Sequence, residues 1–364
     1  MSKKPYKITG FNHCEFYVSN AKQSAYYFNN ALGFETIAYK GLETGNRNQV
    51  SYVVNQGKIN FILTSPLNHN TKISEHLLKH GDGIKDVAFT VDSSEIAWKT
   101  SVDRGAKSVS NPMKISDKFG EAIISSVKTF GDTVHTFVER ENYFGPFLPG
   151  FAPKNSDKSS QPIGLVHIDH VVGNQPENNM IEICEFYENI FGWHRFWTID
   201  DEDITTEFSS LRSVVVANDN EIIKIPINEP APGLKKSQIQ EFIDYYGSAG
   251  IQHIALSTKN IIQTVKIMRE NGVEFLETPS TYYKDLSNRV GDIDEDINTL
   301  SELGILADRD ENGYMLQIFT SPIQDRPTLF LEIIQREGSN SFGKGNFKAL
   351  FESIEKEQEK RGNL

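Results

Sequence analysis

The chain has 364 residues and a net charge of −12. That length allows two domains with full cores, and the acidic balance argues against nucleic acid and anionic membrane as partners, since both demand basic patches. Two cysteines, Cys14 and Cys184, are too few for a disulfide framework. No apolar run approaches 18 residues, and the first residues lack an apolar leader, so the expectation is a cytoplasmic, reducing environment.

Elements taken in chain order show an internal repeat. Residues 11–18 read as a strand, Asn20 to Leu32 as a helix, and Gly33-Phe34-Glu35 as a turn into the next strand. Residues 83–90 read as a second strand, followed by a helix ending near Arg104-Gly105-Ala106, and Thr133 to Arg140 (TVHTFVER) as a third. The stretch from Gly150 to Pro162 is polar and carries Pro and Ser, as a linker does, and the domain boundary is set near residue 155. Beyond it the order recurs. Ile168-Asp169-His170-Val171-Val172 is a strand, Asn179 to Ile190 a helix, and Phe191-Gly192-Trp193 a turn; residues 250–257 precede another helix, and Leu329 to Arg336 (LFLEIIQR) is a strand. Each half therefore reads as two modules of strand, helix and further strands. After the last strand, Phe347, Leu350, Phe351 and Ile354 form one apolar helix face preceded by Gly343 and Gly345. This helix is either ordinary packing or a lid over a pocket.

Three strands of the second half each carry one metal-competent residue: His170, His253 and Glu332. Two imidazoles and one carboxylate form the facial triad of non-haem Fe(II) oxygenases, which leaves positions open for substrate and O₂. The separations are long and nearly equal, from 170 to 253 and from 253 to 332. They rule out a zinc finger, whose ligands come in tight local pairs, and predict three strands of one barrel converging. His167 and His194 are nearby competitors, but His167 lies an odd number of residues from His170 and faces the other way. The matching positions of the first half are His13, Asp86 and Thr136, an incomplete set. That pattern predicts one metal per chain, with two metal sites as the alternative.

Alternation along the strands predicts a pocket around this triad. Gln317 shares a face with Phe319, Phe330 with Glu332, Pro226 with Asn228, and Ser213 with Leu211 and Val215. Polar residues on apolar strand faces either satisfy a neighbour or line a cavity. Ser213, Asn228 and Gln317 with Phe319 and Phe330 suit a neutral aromatic ring with hydrogen-bonding ends. No G-x-S-x-G, P-loop or Rossmann glycine pattern competes.

Longer stretches identify a resemblance. They include Pro226-Ile227-Asn228-Glu229-Pro230, residues 209–213, Lys236 to Gln240, Gly250 to Leu256, Pro279 to Tyr283, Gln317 to Thr320, Gln324 to Arg336, and Phe342-Gly343-Lys344-Gly345-Asn346-Phe347. From about residue 165 onward the chain resembles the 4-hydroxyphenylpyruvate dioxygenases, of the vicinal-oxygen-chelate fold; the first half matches more loosely. The resemblance implies an α+β fold of two domains, 1–155 without metal and 156–364 catalytic. Each would be a pair of βαβββ modules forming an open barrel, with a C-terminal lid helix. It implies Fe(II) held by His170, His253 and Glu332, and polar pocket positions at Ser213, Asn228, Gln238, Gln252 and Gln317. It implies walls of Phe319, Phe330, Phe342 and Phe347, with Pro226 beside the substrate. The expected substrates are an aromatic 2-oxo acid and O₂. The expected reaction is oxidative decarboxylation, ring hydroxylation and side-chain migration to homogentisate, in tyrosine and phenylalanine catabolism, by a homodimer. Gln252 adjoins His253, so strict alternation turns it away from the metal, and its role requires either a bulge or an indirect contact. The alternatives are 4-hydroxymandelate synthesis from the same substrate, or a non-enzymatic ligand-binding member of the fold.

Overall fold

The computed structural model describes residues 5–154, 161–199 and 210–364. The domain boundary expected near residue 155, and Ser209 of the 209–213 stretch, lie outside the described residues.

Among the described residues the strands form two mixed sheets. The first contains β1 (Ile8–Tyr17), β2 (Glu35–Lys40), β3 (Gln49–Gln56), β4 (Ile59–Pro66), β5 (Gly83–Val91), β6 (Ser108–Asp117), β7 (Gly120–Lys128), β8 (Val134–Glu139) and β9 (Ala152–Pro153), ordered β6-β7-β8-β5-β1-β4-β3-β2-β9. The second contains β10 (Leu165–Asn174), β11 (His194–Ile199), β12 (Ser210–Ala217), β13 (Lys224–Ala231), β14 (Gly250–Thr258), β15 (Leu306–Asp310), β16 (Gly313–Phe319) and β17 (Phe330–Glu337), ordered β11-β12-β13-β10-β14-β17-β16-β15. The helices are α1 (Ala21–Leu32), α2 (Lys72–His80), α3 (Ser94–Asp103), α4 (Met180–Phe186), α5 (Gln238–Tyr246), α6 (Ile261–Glu270), α7 (Leu286–Val290), α8 (Ile297–Leu303) and α9 (Phe347–Lys360). In each sheet two βαβββ units meet through an antiparallel central pair, β1 with β5 and β10 with β14.

Local chemistry sets the helix ends. The Asn20 side chain accepts from the backbone N–H of Gln23 to start α1, and Gly33 ends it at φ 68. Ser237 caps α5 and Asn260 caps α6 in the same way. The helix predicted over 179–190 differs from the expectation. It is α-helical only through Phe186, and Tyr187–Phe191 form a π-helical turn closed by Gly192 at φ 65. The wider turn buries Tyr187, Ile190 and Phe191 together. The Tyr187 hydroxyl then meets Nε2 of His135 at 2.8 Å, which joins the two halves of the molecule.

The main apolar core is continuous across both halves, from Phe16, Phe61 and Phe89 to Ile254, Leu256 and Leu331. Smaller clusters fill the other sheet faces. In the first sheet Ala38, Val53, Ile62, Ala88 and Val138 pack against Phe147 and Leu148 of the segment after β8. Burying each of those two side chains is worth roughly 1.5–3 kcal/mol. In the second sheet Phe319 and Phe330 pack against Ala349, Leu350 and Ile354 of α9. So one sheet is plugged by a short apolar segment and the other is covered by a helix.

Candidate metal centre

The site is built where β10, β14 and β17 lie side by side. Ala255 of β14 pairs with both His170 of β10 and Glu332 of β17, and His253 lies two residues back on the same face. The three side chains are buried, and their ligand atoms all lie within 4.8 Å of one another. Nε2 of His170 is 3.2 Å, and Nε2 of His253 3.4 Å, from the same oxygen, Oε2 of Glu332.

Bulges aim these ligands. Ile168 pairs with Leu256 and His170 with Ala255, so Asp169 is the extra residue on β10; Val172 pairs with His253 and Gly173 with Ile251, so Gln252 is the extra residue on β14. A bulge re-aims its side chain, so each of these residues reaches the imidazole that follows it. Oδ1 of Asp169 is 2.7 Å from Nδ1 of His170, and Oε1 of Gln252 is 3.1 Å from Nδ1 of His253. A carboxylate or amide oxygen at Nδ1 holds the proton there and presents the Nε2 lone pair to a metal.

The electrostatics fit a cation. Burial pushes the Glu332 carboxyl up, but His170 and His253 outweigh it and hold it down to about 2. Burial opposes charge on His170 too, yet Glu332 and Asp169 raise its pKa. His253 is lowered, chiefly by burial. A divalent ion would take the same three ligand atoms, in competition with protons. Two neutral imidazole nitrogens and one carboxylate oxygen, each with a fixed orientation, suit a first-row transition metal.

A cavity opens in front of the triad. Ser213, Pro226, Asn228, Gln317, Phe319, Phe342 and Phe347 line it with the three ligands. Oε1 of Gln317 is buried with no hydrogen-bond partner among the described residues. It is an acceptor left for whatever enters. Gly343 has φ 77, a left-handed conformation that favours glycine, and a Cβ there would come within 2.3 Å of that oxygen, so any larger residue would also push the Gln317 amide aside.

Other sequence-predicted positions stand apart. Gln238 and Gln252 line an adjoining pocket with Phe330, Leu276 and Arg361. The Gln252 amide donates to Oε1 of Gln238 at 3.3 Å, so a two-residue chain runs from α5 to His253. Gln252 thus has both the bulge and the indirect contact. Phe330 stacks on the His253 ring at 4.8 Å. His167 bonds Ser257, and His194 is near Glu221, both away from the cavity. Sequence reasoning missed Val172, Trp197 and Leu350 as lining. Val172 lies two residues from His170, so alternation pointed to it, and Leu350 lies on the apolar face of α9; nothing local marks Trp197. It also missed Asp169 and Arg336, which a single sequence does not pair.

In the first sheet, His13 pairs with Ala88 as His170 does with Ala255, and Phe89 pairs with Phe137 so that Thr136 falls beside Ala88. The Asp86 carboxylate accepts from the Thr136 hydroxyl and backbone N–H. His13 is held by Asn12 Oδ1 at 2.8 Å and faces the Phe147 ring.

Residues 2–145 match the family described as hydroxyphenylpyruvate dioxygenase, N-terminal, and residues 167–318 the glyoxalase, bleomycin resistance protein and dioxygenase superfamily. The chain is 51% identical to a 4-hydroxyphenylpyruvate dioxygenase of Xenopus tropicalis, over 98% of this chain and 93% of that protein. It is 48% identical to the enzyme of that name from Dictyostelium discoideum, over 98% of this chain and all of that protein. Among solved structures, a triple mutant of 4-hydroxymandelate synthase from Streptomyces coelicolor superposes with a TM-score of 0.84 at 29% identity, covering 96% of this chain and 99% of that one.

Proposed function

The chain belongs to the 4-hydroxyphenylpyruvate dioxygenase family, and on that premise we propose that it converts 4-hydroxyphenylpyruvate and O₂ to homogentisate and CO₂ in tyrosine and phenylalanine catabolism. The observation that carries this reading is the buried His170, His253 and Glu332 set opening onto an aromatic cavity. These three residues would hold Fe(II). When bound, the iron supplies O₂ activation and a chelation point for the 2-oxo acid, chemistry that a redox-inert zinc lacks.

The remaining roles belong to the chain itself. Asp169 and Gln252 keep the two ligand imidazoles with Nε2 forward. Gln317, Asn228 and Ser213 orient the polar ends of the substrate. Gln238 and Gln252 act from the adjoining pocket, behind Phe330. Phe319, Phe342 and Phe347 hold the ring and exclude water, and Pro226 fills the wall beside Asn228. Helix α9 serves as the cover, a reading supported by Phe347 and Leu350 of that helix lining the cavity. The first half, up to about residue 155, serves as a metal-free copy of the same unit. Its matching strand register supports that reading. The buried free thiols of Cys14 and Cys184 suit a reducing cytoplasm. We take the active species to be a homodimer.

The test is aerobic turnover of 4-hydroxyphenylpyruvate by metal-free protein given Fe(II). CO₂ and homogentisate are expected in equal amounts, with no turnover on Zn²⁺. The likeness to 4-hydroxymandelate synthase supplies a second reading, and 4-hydroxymandelate as the aromatic product would establish it instead.

A further inference from the structure

Asp169 does more than hold His170. Its carboxylate also receives the Arg336 guanidinium as a two-pronged pair, Nε to Oδ2 at 2.8 Å and Nη2 to Oδ1 at 2.9 Å. The remaining prong of Arg336, Nη1, donates to the backbone carbonyls of Ser339 at 3.2 Å and Ser341 at 2.7 Å. Its face lies 5.6 Å from the ring of Phe342. Phe342 in turn meets the His170 ring edge-on at 5.1 Å. The contacts close a circuit: His170, Asp169, Arg336, the 339–342 segment, and back to His170. That segment is the only covalent link between β17, which carries Glu332, and α9, which covers the cavity.

A rigid fork of this kind fixes both partners in one geometry. A buried ion pair of this sort adds little to stability compared with apolar side chains of the same volume, so its consequence is orientation. The first sheet provides the contrast. Asn12 stands where Asp169 does and holds His13 by Oδ1, but its amide turns to Thr90. Arg140, at the position of Arg336, lies 5.6 Å over Tyr143. An amide is therefore sufficient to hold the imidazole. The carboxylate is what adds the fork to the arginine and the segment it clamps.

We propose that Asp169 and Arg336 are positioning residues that couple the orientation of the metal-competent His170 to the seating of α9. Binding a metal at His170 stiffens Asp169, which holds Arg336, which fixes the Ser339 and Ser341 carbonyls and the Phe342 wall. This rests on the metal reading of the triad.

The test uses Co²⁺ as the probe and trypsin cleavage after Lys344, an exposed residue just beyond the clamped segment. Cobalt absorption reports ligand geometry, and cleavage reports the seating of α9. In the wild-type chain Co²⁺ should slow cleavage about tenfold. Asp169→Asn keeps the hydrogen bond to His170, as Asn12 does for His13, so Co²⁺ should still bind within about tenfold of wild-type affinity, yet protection should be lost. Arg336→Lys, with a single point charge in place of the fork, should lose most of the protection with the cobalt spectrum unchanged. Both variants should also be cut faster than wild type without metal, which measures the clamp independently of the metal site. Protection retained in both variants would overturn the coupling. A wild-type chain that binds no Co²⁺ would overturn the metal reading, and the coupling with it. A fold lost in Asp169→Asn leaves Arg336→Lys to decide by the same two readouts.

Discussion

His13, Asp86 and Thr136 stand in the first sheet at the register of His170, His253 and Glu332 in the second. The same strand geometry therefore presents two triplets of polar side chains, with opposite electrostatic outcomes. In the second sheet two imidazoles face one carboxylate, and Glu332 is held down to about 2. In the first, Asp86 has a hydroxyl and a backbone N–H in place of the imidazole partners. Burial, with Glu15 nearby, pushes its carboxyl up to about 7 despite those hydrogen bonds. Burial also drives His13 down to about 3. The open space differs too. Phe147 and Leu148 plug the first sheet, whereas the second keeps a cavity under a separate helix. The lesson is that the fold supplies converging strands, and the identity of three side chains and one covering segment decides whether a site results.

The sharpest way to break this comparison is Glu332→Ala. It removes the anion from the triad, so Fe(II) affinity and turnover should each fall by about a hundredfold or more, while the metal content of an Asp86→Ala variant stays at that of wild type. Metal analysis of both variants, against an expected one iron per chain, reads the result. Undiminished iron in the first, or half the iron lost in the second, would reverse the assignment of the two sheets.

Next in size is the cover. A chain ending before Ser341 keeps all three ligands but loses α9, including the Arg361–Glu241 pair. It should bind iron yet turn over about ten to a hundred times more slowly, with CO₂ released in excess of homogentisate. Full, coupled activity would make α9 ordinary packing. Phe347→Ala, which opens the cavity wall without removing the helix, should show the same uncoupling to a smaller degree and serves if the shortened chain does not fold.

The smallest effect concerns Asp86 and stability alone. Its folded pKa lies above its unfolded value of 3.8, so between about pH 4 and 7 the native state binds the extra proton and this group makes stability fall as pH rises. Asp86→Asn removes that dependence. The variant should gain on wild type as pH rises, by up to roughly 4 kcal/mol at pH 8 and by little at pH 4. Denaturant unfolding at both pH values measures the gap, and a gap that does not change with pH would show that Asp86 is not the stranded acid of the first sheet.

Residue type and period by themselves determined the strands carrying His170, His253 and Glu332, the helix after Gly343, and the lining positions Ser213, Asn228, Gln317 and Phe319. These were legible because a two-residue strand period and a 3.6-residue helix period are local properties, and because metal-competent side chains are uncommon on apolar strands. Only the tertiary structure decided the rest. The bulges at Asp169 and Gln252 break the local period, since register is settled by the neighbouring strand. The π-helical turn at Tyr187 answers to His135, which lies across the interface between the halves. The plug of Phe147 in one sheet and the clamp of Arg336 on Asp169 in the other join residues far apart in the chain. Such contacts depend on how the sheets are assembled in three dimensions, and no local pattern in one sequence encodes that assembly.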